Sequence, residues 1–364
     1  MAKIYMDYNA TTPVLPEILD EMKKFQNLPL NASSTHYYGR MARTVIEDAR
    51  HGILQAIFPK NHSKYRLIFT SSGTEANNLA INSFSSKTIL YSSLEHKSIK
   101  KPIMMGKNAD KSCEIPVLQN GEIDYIAMEN LIKTQAPSLI SVMHANNECG
   151  VIQNIDKIAE ICRNNGLFFH TDASQSFGKI KCNFDEILPD MITISSHKIY
   201  GPIGVSALIY KSNVQIIPQI LGGGQEFYLR SGTENVAGIY GFSLACKMAI
   251  SDFPEKYKNI AKMRDEIEKI AVSKGYFTLC QGINRIPNTT MICKNGQNTS
   301  MQLMFFDQKG IMVSGGSACS SGLVESSEIC QKLGLDTGNS CSQIRFSLGL
   351  FTTDDEACFV CENL

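Results

Sequence analysis

Residues Asp190–Pro202 read DMITISSHKIYGP. Met191, Ile192, Thr193 and Ile194 make a short apolar, β-branched run with the length and composition of a buried strand. The run stops at Ser195-Ser196-His197-Lys198, and Gly201-Pro202 marks a turn. Lys198 therefore falls at a strand end, where α/β sheets present chemistry rather than packing. Partial desolvation at such a place lets an amine lose its proton, and a neutral amine can form a Schiff base. A single lysine is more often an exposed loop residue, so its neighbours must carry the weight.

Outward from this stretch the chain alternates between strand-like and helical segments. RLIFT, TILYSS, SLISVM and LFFHTD read as strands, and Glu17–Gln26, Ala42–Ile57, SSGTEANNLAINSF and DKIAEICRNNG as helices. Strands separated by helices of this length predict βαβ units and an α/β fold with a mostly parallel sheet. Beyond Pro254 the texture shifts to a charged helix, EKYKNIAKMRDEIEKIAVSKG, and to shorter strand-like pieces such as NTTMICK and GIMVSG. The shift predicts a large α/β domain over 15–254 and a smaller α+β domain over 255–364, joined by residues 1–14.

The 364 residues are 43% hydrophobic, enough for a large core, and 35 basic and 35 acidic residues cancel. Balanced charge lends no support to nucleic-acid binding. The start, MAKIYMDYNATT, lacks the apolar core of a signal peptide, and no apolar stretch is long enough to span a bilayer. The 12 cysteines show no repeating frame, which predicts reduced thiols and a cytoplasmic protein. Cys358-x-x-Cys361 is the one close pair; without a second pair or histidines nearby it reads as one face of a terminal helix, not a metal site.

Other strand ends carry candidates of their own. Ser71-Ser72-Gly73-Thr74 lies between a strand and a helix, and small residues there let peptide N–H groups approach an anion at the helix N-terminus. The spacing is neither G-x-G-x-x-G nor a Walker loop, so a single phosphate fits better than a nucleotide; a plain capping turn is the other reading. Asp172, directly after LFFHT, needs a partner if it is buried: a protonated ring nitrogen or an arginine. Gln175 could donate to a phenolate oxygen, and His96 follows Glu95 at another strand end. A lysine, an acid, a histidine and an anion cradle together suit pyridoxal phosphate.

In this combination the chain resembles the NifS/IscS-like cysteine desulfurases of the class-V aminotransferase family, fold-type I pyridoxal phosphate enzymes. The resemblance runs in family order through YMDYNATTP, TSSGTEANNLAI, LEHKS, MHANNECGV, HTDASQSFGK, SSHKIYGPIG, GGGQEFYLRSGTEN, SGGSACSSG and IRFSLGLFTTDDE, nearly the whole chain. It implies an aspartate aminotransferase-like large domain with a seven-stranded mixed sheet. It also implies pyridoxal 5'-phosphate bound covalently by Lys198, with Asp172 keeping the ring nitrogen protonated and His96 stacked on the ring. Gly73, Thr74, Ser195 and His197 would hold the phosphate, with Thr233 reaching in from a second subunit of a homodimer. Asn147 and Gln175 would contact ring substituents, and Asn147 the substrate as well. Arg345 would clamp the substrate carboxylate, a task suited to a planar fork.

The resemblance further makes Cys319, in VSGGSACSSG, the nucleophile. From Ser314 to Ser321 glycine and serine dominate, a composition that predicts a mobile loop. Lys198 would move the Cα proton of L-cysteine, Cys319 thiolate would take the sulfur as a persulfide, and L-alanine would leave. The sulfur would pass to an iron–sulfur scaffold or a tRNA-thiolation relay. In the family a C-terminal tail docks such partners; here ACFVCENL follows FTTDDE, a shortened tail, and Asn31-Ala32 stands where the family has Asn-Pro. The alternatives are another class-V enzyme, an aminotransferase or selenocysteine lyase that would not need Cys319, or a divergent non-catalytic paralogue.

Overall fold

In the computed structural model, which describes residues 3–107, 109–316, 328–335 and 341–364, Met191–Ser195 is a strand with every residue buried. Full burial of Ile192 and Ile194 contributes roughly 1.5–3 kcal/mol per side chain. Strands are numbered β1 (Ile4–Tyr5), β2 (Tyr65–Thr70), β3 (Ile89–Ser92), β4 (Cys113–Ile115), β5 (Leu139–Ser141), β6 (Phe168–Asp172), β7 (Met191–Ser195) and β8 (Ser206–Lys211). Then follow β9 (Phe277–Thr278), β10 (Thr289–Asn295), β11 (Ile311–Met312), β12 (Ser314–Gly315) and β13 (Cys341–Ser347). One sheet of seven strands runs β2-β8-β7-β6-β5-β3-β4. Its pairs are parallel except where β8 lies antiparallel to β2 and β7. This is the mixed, mostly parallel seven-stranded sheet expected.

The register decides what the strand ends present. Asp172 of β6 pairs with Thr193 of β7, so its carboxylate and the turn after β7 emerge on the same edge. That turn, Ser196–Lys198, is a single 3₁₀ turn. Gly201 closes it tightly: a Cβ there would stand 2.3 Å from Ser196 Oγ and 2.9 Å from Ala245 Cβ. Tyr200 holds a left-handed φ of 63°, costly for a bulky residue. It is pinned from both chain ends, since its N–H donates to Thr12 Oγ1 (2.9 Å) and its hydroxyl accepts from the N–H of Leu350 (2.6 Å).

A second sheet, β12-β13-β10-β9, is antiparallel, and β1 pairs in parallel with β11. A bridge from Asp7 to Ser347 lays the N-terminal segment along β13. The charged helix after residue 252 spans Phe253–Ser273. The helix expected from Ala42 begins at Tyr37. Gly39, in its first turn, serves close packing, because a Cβ there would lie 2.1 Å from the carbonyl oxygen of Ser34. Cys358 and Cys361 do share the terminal helix Asp354–Glu362. Among the described residues no helix is long and apolar enough to cross a membrane.

Candidate active site

The edge carrying Asp172 and Lys198 is lined by helix starts. Ser72 caps the helix Gly73–Asn82, its hydroxyl accepting from the N–H of Glu75 at 3.1 Å. His96 caps Lys97–Met104 through Nδ1, which accepts from the N–H of Ser98 at 3.1 Å. Each cap satisfies one N–H that a helix start leaves without an intrahelical partner.

Asp172 is 8% exposed. Oδ1 accepts from the N–H of Ser174 (2.9 Å) and Oδ2 from Asn77 Nδ2 (2.7 Å). Asn77 Nδ2 also donates to Ser98 Oγ (2.8 Å), which lies 2.7 Å from His96 Nδ1. Because Nδ1 already accepts from the Ser98 N–H, the Ser98 hydroxyl donates to it as well. Nδ1 is then an acceptor, and the imidazole proton sits on Nε2. Burial, aided by the Lys198 and Lys97 cations and opposed by Asp172, lowers the pKa of His96 and favours this neutral form. Glu95, fully buried, accepts from the N–H of Met143 and has a raised pKa through burial and the nearby Asp172 charge.

Lys198 Nζ donates to the carbonyls of Asn9 (2.5 Å) and Ala10 (2.8 Å). Gln175 Nε2 donates to the same Asn9 oxygen (3.0 Å). Arg345 lies on β13 and is 2% exposed. Its NH2 donates to Asp7 Oδ1 (2.6 Å) and its NH1 to the carbonyl of Asn147 (3.0 Å), while Nε is buried without a partner among the described residues. A guanidinium held from one side with a spare buried N–H fits a carboxylate.

At the Gly73 helix start, a Cβ at Gly73 would fill the space against Ser174 Oγ (3.5 Å) and Ser195 Cβ (3.6 Å). Ser195 Oγ pairs with Ser206 Oγ (2.9 Å), and His197 Nδ1 lies 3.2 Å from Thr11 Oγ1. Burial and the Lys198 cation push the pKa of His197 down to about 4. Thr74 is exposed at the start of its helix. The small residues, helix start and neutral imidazole fit a phosphorylated pyridine aldehyde. The two donors on Asp172 are neutral, and a protonated ring nitrogen would supply the opposite charge.

Lys198, Asp172, His96, Gln175, Asn147, Ser195, His197, Gly73 and Arg345 thus converge. Asn147 enters through its carbonyl. Thr233 stands exposed on the loop before the helix Val236–Ser251. Cys319 lies outside the described residues. Sequence reasoning missed Asp7, Asn9, Asn77, Ser98 and Lys179, all inside segments it had quoted; only long-range contacts reveal their work.

Residues 4–358 match the family described as Aminotransferase class-V. The chain is 38% identical to the cysteine desulfurase IscS of Dictyoglomus turgidum, over 97% of this chain and 91% of that protein. A NifS-like protein from Rickettsia africae superposes with a TM-score of 0.92 at 36% identity, covering 100% of this chain and 98% of the other. A protein named SspA, solved in complex with cysteine, superposes with a TM-score of 0.80 at 28% identity, covering 97% of this chain and 100% of that one.

Proposed function

The chain belongs to the class-V aminotransferase family, among its cysteine desulfurases, and on that premise we propose that the edge of the large sheet binds pyridoxal 5'-phosphate and takes sulfur from L-cysteine. The single observation that carries this is the convergence of Lys198, Gln175 and Arg345 on the N-terminal segment. Asn9 accepts from Lys198, and its own amide meets the Asn147 carbonyl (3.1 Å) that also holds Arg345 (3.0 Å).

Pyridoxal phosphate, when bound, supplies an aldehyde for amines and a ring that withdraws electrons from Cα. In this reading Lys198 Nζ would hold the aldehyde and would move the proton at Cα of the substrate. Asp172, oriented by Asn77 and Ser174, holds the proton on the ring nitrogen. Neutral His96, with its N–H at Nε2, would lie beside the ring. Gly73, Thr74, Ser195 and His197 hold the phosphate, with Thr233 contributed across a homodimer, and Gln175 and Asn147 contact ring substituents. Arg345 binds the substrate carboxylate through the face that Asp7 leaves open. Cys319 thiolate would attack the substrate sulfur and keep it as a persulfide; the Cβ–S bond would break with its electron pair left on Cβ, which takes a proton to complete alanine.

We place the large α/β domain at 15–254 and the smaller one at 1–14 with 255–364, so that substrate bridges the two. The working compartment is the cytoplasm, and the sulfur goes on to an acceptor protein of iron–sulfur assembly or tRNA thiolation. The test is mass spectrometry after L-cysteine treatment, with the expected result one added sulfur on Cys319. Cys319→Ala should abolish sulfide and alanine release while the visible coenzyme band persists. Undiminished release by that variant would replace this reading with a lyase or aminotransferase that does not use Cys319.

A further inference from the structure

Lys179 is 2% exposed and has no part in the steps above. Burial, reinforced by the Lys198 and Arg345 cations, lowers its pKa well below the usual lysine value. Its Nζ donates to Asn9 Oδ1 (2.7 Å) and to Gln175 Oε1 (2.6 Å). Two acceptors thus meet the N–H bonds of this buried amine.

Those contacts decide how two amides face. With its oxygen turned to Lys179, Gln175 must direct Nε2 away, toward the Asn9 carbonyl (3.0 Å) where Lys198 also donates. Asn9 Oδ1 accepts from Asn288 Nδ2 as well (3.0 Å), which turns Asn9 Nδ2 to the carbonyl of Asn147 (3.1 Å) and to Thr289 Oγ1 (2.8 Å). The Asn147 carbonyl in turn accepts from Arg345 NH1 (3.0 Å). One buried amine thus lies between the Gln175 side of the site and the Arg345 side.

We propose that Lys179 is a positioning residue that locks the amides of Gln175 and Asn9 and thereby couples the coenzyme side of the site to the substrate-carboxylate clamp. This rests on the functional reading above. Without the amine, Gln175 Oε1 loses its donor and Asn9 Oδ1 keeps only Asn288 Nδ2, so the Gln175 N–H no longer has a fixed direction and the Asn9 amide is held less firmly.

The experiment uses the full-length holoenzyme. Lys179→Met keeps the length and removes both donors. The expected results are a roughly 10-fold rise in KM for L-cysteine, a roughly 10-fold faster loss of pyridoxal phosphate on dilution, and a shifted visible band, with kcat changed less. In a double-mutant cycle on coenzyme release, Lys179→Met and Gln175→Leu should be strongly non-additive, because one acts through the other. A lower Tm with unchanged KM, band and release rate would overturn the proposal, and so would additive effects. Should the methionine variant not fold, Lys179→Gln, with two N–H bonds on a shorter arm, is read by the same KM, band and release rate and decided by the same outcomes. A wild-type protein without a coenzyme band or alanine production would overturn the functional reading itself, and this proposal with it.

Discussion

The floor of the site and its wall are built in different ways. The floor, where Asp172 and Lys198 emerge, comes from consecutive βαβ units whose strand ends and helix starts meet by topology. The wall, where Arg345 sits, comes from β13 laid against the first residues of the chain, and its decisive ion pair with Asp7 closes at 2.6 Å across 338 positions. Parallel sheets gather chemistry at one edge by construction. A wall made of the two chain ends exists only once the whole chain has folded.

If the floor supplies chemistry and the wall supplies binding, variants should divide along that line. The largest effect is expected from Asp172→Asn, which removes the floor's charge: kcat should fall by about 10²–10³-fold, the scale of losing one pre-organised electrostatic contact. Steady-state kinetics on the coenzyme-loaded variant checks this, and a change confined to KM would break the comparison. Next, Arg345→Ala should raise KM for L-cysteine by about 10- to 100-fold, the scale of charged hydrogen bonds, with kcat altered less. An equal fall in kcat would show the guanidinium acting on the reacting atoms.

The last effect concerns acid and is read as stability, not rate. Burial drives His144, His170 and His197 down to about 4, from an ordinary value near 6.5 in the unfolded chain. Their neutral forms therefore favour the fold fully above about pH 6.5, and that contribution is lost as pH falls toward 4, by up to about 3 kcal/mol for a fully buried ring. Glu95, with its raised pKa, acts in the opposite sense, stabilising at low pH and losing that contribution as pH rises. Hydrogen exchange between pH 6.5 and 4 should show protection falling in β6 and β7 before β10 and β13. Simultaneous loss would erase the distinction between floor and wall. His170→Asn should flatten the acid side of the Tm profile.

Much of the floor was legible. β-branched runs ended in small residues at regular spacing, so Lys198, Asp172 and His96 could be placed at strand ends from local pattern alone. The start of the helix at Tyr37 was not, because the close approach of Gly39 to Ser34 exists only in the folded chain. Thr233 was assigned by resemblance to a second subunit, and within one chain it stands exposed.

Periodicity and motif order by themselves determined the α/β sheet, the residues at its productive edge and the presence of a nucleophile candidate at Cys319. Tertiary structure alone decided that Asp7 and Asn147 hold Arg345, that Asn77 and Ser98 set the tautomer of His96, and that Lys179 faces two amides. Strand ends follow from patterns a few residues long, whereas the direction of a buried amide or imidazole depends on donors arriving from distant parts of the chain.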